Sequence, residues 1–87
     1  MKLEVNYFHP VPDITLKQRE AFYIVVELLK QKGFVCIVYK NNLKECVFQY
    51  EPDGKQYRFY SMEYWNFNNR GERGLDIDFI RMEEIGE

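Results

Sequence analysis

The segment TLKQREAFYIVVELLKQKGF, residues 15–34, decides the fold. Thr15 followed three residues later by Gln18 has the form of a capping box, in which each side chain meets an orphan backbone N–H at a helix start. Gly33 stands where a helix stop needs a left-handed residue, and Phe34 beyond it can touch Leu29 in the contact that accompanies such a stop. Lys30 and Lys32 sit at the negative end of the helix dipole. These signals predict a helix over Leu16 to Lys32. At 100° per residue Phe22, Val25, Val26 and Leu29 form one apolar stripe. Ala21, Ile24 and Leu28 widen it to an arc of about 200°, beyond the ~100° that one core-facing stripe requires. Either a sheet wraps around this helix, or the Ala21, Ile24 and Leu28 flank meets a second copy in a homodimer.

Strand patterns lie on both sides of the helix. Leu3, Val5 and Tyr7 alternate with Lys2, Glu4 and Asn6, the period of a half-buried strand. The stretch His9-Pro10-Val11-Pro12 is expected to end it, since proline gives no ladder donor. Beyond Gly33 come four apolar segments with turn signals between them, predicted as strands over Phe34 to Tyr39, Lys44 to Glu51, Gln56 to Tyr64 and Leu75 to Met82. Asn41-Asn42, Pro52-Asp53-Gly54 and the loop from Asn68 to Gly74 separate them. The order is β-α-β-β-β-β. It specifies an α+β fold with one amphipathic helix packed on a mainly antiparallel sheet. Eighty-seven residues hold one core, so residues 1–87 read as a single domain.

Alternation assigns the faces. Cys46, Phe48 and Tyr50 share one side of their strand, and Leu75, Ile77 and Phe79 one side of theirs. Pairing across the Asp53-Gly54 turn that keeps apolar residues together sets Phe59 opposite Phe48 and Tyr57 opposite Tyr50. Tyr60, Met62 and Tyr64 then point to the other face with Val47 and Arg58. Both faces of the Gln56–Tyr64 strand carry rings, and one of them is not the main core.

Composition bounds the function. Seven Tyr, seven Phe and one Trp exceed what so small an interior holds, and surface rings favour partner contacts. The net charge of −2 argues against a whole-domain nucleic-acid binder. Acids thicken toward the C-terminus, which reads as a solvated edge. The opening MKLEVNYFHP lacks the apolar core of a secretory signal, and the longest apolar run, Ala21 to Val26, is far short of the ~20 residues of a membrane span. No membrane association is therefore expected. A cytoplasmic location with reduced Cys36 and Cys46 follows as an expectation.

Catalytic and metal motifs are not found. One histidine and two isolated cysteines do not make a zinc set, and no cofactor is implied. Cys36 and Cys46 read as small core residues, and His9 as a solvent-facing linker residue. Asp76 and Asp78, two apart on one strand face, could hold a hard cation only with a third ligand such as Glu63, so a polar outer face is the better reading. Ser61 is the single serine, and His9 is remote from it in sequence. The chain is therefore expected not to be an enzyme. Single-stranded nucleic acid stacked on Tyr60 and Tyr64 beside Lys44, Arg58, Arg70 and Arg73 is the runner-up reading. The leading one is a protein-binding module whose contact set is Tyr60, Met62, Tyr64, Trp65, Arg70 and Arg73, rings at the centre and arginines at the rim. Size and composition are of the kind found among phage and mobile-element accessory proteins, antitoxins and immunity proteins. That analogy carries no residues with it.

Overall fold

A computed structural model describes residues 3–11 and 18–86. Five strands and one helix follow in the order β1 (Asn6–Pro10), α1 (Gln18–Gln31), β2 (Phe34–Val38), β3 (Val47–Tyr50), β4 (Gln56–Phe67) and β5 (Arg73–Glu84), with a short 3-10 turn at Leu43–Glu45. The strands form one antiparallel sheet in the spatial order β1-β5-β4-β3-β2. Because β1 and β2 are its two edges, α1 carries the chain from one side of the sheet to the other across a single face. This is the α+β arrangement that the sequence predicts.

Apolar spacing makes α1 grip that face. Ala21, Val25 and Leu29 are buried together with Phe34, Cys46, Phe48, Tyr57, Phe59, Leu75, Ile77 and Phe79 in one cluster. Phe59 is its hub, with ring centroids 4.9 Å from Phe34, 5.4 Å from Phe48 and 5.9 Å from Phe79, each edge-on. Such T-shaped pairs set the positive edge of one ring against the negative face of the next. The helix stops as expected. The Gly33 N–H donates to Lys30 O at 3.1 Å, and Gly33 adopts φ 99°, a left-handed value that a Cβ would strain. Leu29 and Phe34, on either side of that stop, are both fully buried. The expected Thr15 cap lies outside the described residues.

Three local expectations are corrected. The first strand begins later than the alternation from Leu3 implied, at Asn6, and ends within the expected stretch at Pro10, with His9 opposite Leu75 and Pro10 opposite Gly74. An edge strand needs ladder bonds on one side only, so Pro10 is tolerated there. His9 is exposed as expected, but on a strand rather than in a linker. The segment from Lys44 begins with the 3-10 turn instead of strand. There the Asn42 side chain accepts from the Glu45 N–H at 3.2 Å, so a local cap competes with the ladder. The β3–β4 register also differs by two residues, with Phe48 opposite Tyr57 and Gln49 opposite Gln56. The Tyr50–Lys55 turn, with Gly54 N–H to Tyr50 O at 2.8 Å, closes earlier than the apolar pairing implied. A shift of two preserves the faces, so the assignment of rings to sides stands.

Candidate functional site

Face assignment along the long β4–β5 hairpin locates the site. Tyr57, Phe59 and Leu75, Ile77, Phe79 point toward α1 and are buried. A bulge on β5 shifts the register between Tyr60 opposite Arg81 and Ser61 opposite Phe79, which leaves Ile80 unpaired. The bulge keeps both halves of β5 in phase with β4, so Arg58, Tyr60, Met62, Tyr64 and Asn66 all lie on the face away from the helix. Asp76, Asp78, Arg81 and Glu83 lie opposite them on the same face, and Asn6 joins from β1 opposite Asp78. No described element covers this side.

Polar groups hold the rings of this face in place. The Tyr64 hydroxyl donates to Asp78 Oδ2 at 2.6 Å. Asn6 Nδ2 donates to Asp76 Oδ1 at 2.7 Å and also to Asp78 Oδ1, and Asn66 Nδ2 to Asp76 Oδ2 at 3.0 Å. Each of the four aspartate oxygens therefore accepts a hydrogen bond from a neighbouring side chain. That arrangement uses the pair to orient Tyr64, Asn6 and Asn66. Among the described residues no group of three or more His, Cys, Asp or Glu side chains is arranged to hold a metal. The same hydrogen bond pushes the Tyr64 hydroxyl up to about 12, with burial and the two aspartate charges adding to it. It also draws the Asp78 carboxyl down, helped by Asn6. Farther along, the Arg81 guanidinium lies 4.1 Å from the centroid of the Tyr60 ring and 3.2 Å from Glu83 Oε2. The Tyr60 hydroxyl meets Glu83 Oε1 at 3.3 Å.

The six residues expected to act together divide among three places. Tyr60, Met62 and Tyr64 share the open face, where Met62 is 58% and Tyr64 42% exposed and Tyr60 half-buried. Trp65 lies on the helix side opposite Leu75, half-buried against the core. Arg73 shares that side, its guanidinium 4.8 Å above the Trp65 ring. Arg70 is exposed in the β4–β5 loop. Asn68 organises that loop, its Oδ1 accepting from the Arg70 and Glu72 N–H groups at 2.9 Å each. Neighbours in sequence thus point to opposite faces, as strand alternation requires.

The Ala21, Ile24 and Leu28 flank is partly buried within the chain. Ala21 is buried, and Ile24 and Leu28 are half-buried against the core cluster. Cys46 is buried and Cys36 half-buried, both as free thiols; burial, then the neighbouring Cys46, pushes the Cys36 thiol up to about 11. The single serine donates its hydroxyl to Glu63 Oε2 at 2.6 Å, while His9 lies across Leu75 on the other side of β5. Asn6, Asn66 and Arg81 were not legible as site residues. Asn6 acquires its role only through the β1–β5 register, and Arg81 through the bulge.

No family model matches the chain, and no curated protein or solved structure matches it. No helix is long and apolar enough to cross a membrane among the described residues.

Proposed function

We propose that this chain is a small non-enzymatic binding module that occludes or scaffolds a protein partner through the uncovered face of its sheet. One observation carries the reading. Tyr60, Met62 and Tyr64 alternate along β4 on the side without a helix, and the last two keep roughly half their surface in water. An apolar ridge on a partner would remove that surface from water at roughly 25 cal/mol per Å². Arg81 and Asp78 already fix the orientation of the two tyrosines, which lowers the conformational entropy lost on docking. Asp76, Asp78, Glu83 and Arg81 would form the polar rim, and Arg70 could reach a carboxylate beyond the hairpin end. An inhibitor, immunity or antitoxin role suits a module that works by covering something, and a cytoplasmic setting would keep Cys36 and Cys46 reduced.

The test is affinity capture from the source lysate with the wild-type chain and with Met62→Asp and Tyr64→Ala. Both side chains are exposed, so both variants should fold. The reading expects a protein held by the wild type and reduced at least tenfold by Met62→Asp. Equal retention by all three chains contradicts it. Retention of a labelled single-stranded oligonucleotide at low salt, with loss of binding in the same variants and no captured protein, would establish the nucleic-acid reading instead.

A further inference from the structure

A groove runs along the free edge of β4, next to the open sheet face. β3 pairs with β4 only at Phe48–Tyr57 and Gln49–Gln56, so the β4 edge from Arg58 onward has no strand beside it. The β2–β3 connection and the first turns of α1 flank that edge and enclose a groove of ≈ 730 Å³, with Tyr60, Ser61 and Glu63 on its floor. Its walls are rings: Phe22 stands 5.5 Å from Tyr39 and 6.1 Å from Tyr23, centroid to centroid, and Tyr23 and Tyr39 are 46% and 53% exposed. A second hollow of ≈ 710 Å³ shares Lys40, Asn42, Lys44 and Tyr60 with it and adds Glu45 and Arg58.

Charge is unbalanced here. Arg19, Lys40, Lys44 and Arg58 line the two hollows, and none of them is in a salt bridge among the described residues, where the ion pairs are Lys55–Glu84 and Arg81–Glu83. Two carboxylates, Glu45 and Glu63, line the hollows as well, so four cations face two acids there. Glu45 is bound by the Asn42 amide, Glu63 by the Ser61 hydroxyl, and Glu83, which faces Arg58 across the strands, by Arg81 and Tyr60. Arg58 Nε is buried with no hydrogen-bond partner among the described residues, so the guanidinium is not tied to a neighbouring acceptor through that atom. In a chain of net charge −2 this is a local cationic site. The loop that carries it is held in advance. The Cys46 sulfur accepts from the Lys40 N–H at 3.4 Å, and Asn42 caps the turn that bears Lys44. Exposed planar rings beside unpaired cations are the two halves of nucleotide recognition, stacking for the base and charge for the phosphate. The volume falls within the ≈ 300–1,000 Å³ of small-ligand sites.

We infer that this groove binds a nucleotide unit, its base against Tyr23 and Tyr39 and its phosphate against Lys40, Lys44 and Arg58. Tyr60 and Arg58 border both this groove and the open sheet face, but the inference does not rest on the sheet-face reading. Calorimetric titration of the full chain with adenosine diphosphate and with a six-nucleotide single-stranded DNA tests it, with adenosine and inorganic phosphate as further arms. Saturable binding of either nucleotide probe is expected, weakened at least tenfold in Lys40→Gln/Lys44→Gln and in Tyr39→Ala and unchanged in Lys55→Gln, whose cation lies elsewhere. Tighter binding of the diphosphate identifies a free nucleotide as the source, and tighter binding of the oligonucleotide identifies a strand. Neither probe saturating at millimolar concentration, both variants binding like the wild type, or inorganic phosphate binding as tightly as the diphosphate would overturn the inference. The substituted residues are exposed, and an unchanged circular dichroism spectrum would exclude unfolding as the cause of any loss.

Discussion

Tyr64 and Asp78 share one hydrogen bond, and each records it in its protonation. The bond needs a protonated phenol and an ionised carboxylate, so it raises the first and lowers the second. The two shifts give the stability contribution a pH window. It is present above the ordinary aspartate value of 3.8 and is lost as pH falls through the lowered folded value. At the other end it is complete below the ordinary tyrosine value of 10.0 and is lost as pH rises through about 12. Carbon NMR of ring-labelled tyrosine should find Tyr64 still protonated at pH 11, and Asp78→Asn should return its midpoint toward 10.0. A wild-type midpoint at the ordinary value would refute the bond. Alternation placed Tyr64 on the outer face, and Asp76 and Asp78 together on theirs, from the sequence alone. Their partner Asn6 was hidden because it lies 70 and 72 residues away and meets them only through strand order. The expected grouping of Trp65 with Tyr64 failed for the reason that succeeded elsewhere: adjacent strand residues face opposite ways.

Among the elements, α1 was the most legible, since its apolar spacing and the Gly33 stop are written locally. Strand identities were legible too, whereas ends and registers depended on contacts that the local sequence does not carry. The 3-10 turn came from the Asn42 cap, and Pro10 stays within β1 because that strand is an edge. β1 is held to β5 at a place where only glycine fits. A Cβ on Gly74 would meet the His9 carbonyl oxygen and, at 2.6 Å, the Phe8 ring. Gly74→Ala should therefore push β1 outward and destabilise the fold by about 1–3 kcal/mol, the usual range for a forced contact in a packed region. Urea denaturation measures the loss. Hydrogen exchange should show it concentrated in the β1 amides and in their β5 partners from Leu75 to Asp78. A variant as stable as the wild type, with unaltered β1 protection, would mean that the two strands do not approach so closely.

At the scale of the whole molecule, proportions decide what is left bare. Fourteen helical residues span ~21 Å, while the twelve residues of β4 span ~40 Å. The longest dimension of the molecule is 44 Å. One helix cannot cover such a sheet on two sides, so part of the surplus of rings surfaces along β4, at Tyr64 and Phe67, and part beside α1, at Tyr23 and Tyr39. The sequence allowed the excess to be counted but left its sharing between the faces open, because that depends on the Ile80 bulge and on β1 joining β5 rather than another strand. Hydroxyl-radical footprinting of the free chain and of its captured complex tests the docking face most directly. The account predicts rapid oxidation of Met62 and Tyr64 in the free chain and strong protection of both in the complex, while the half-buried Met82 on the helix side changes little. Met62 as slow to oxidise in the free chain as the core ring Phe59, or equally reactive with and without the partner, would contradict it.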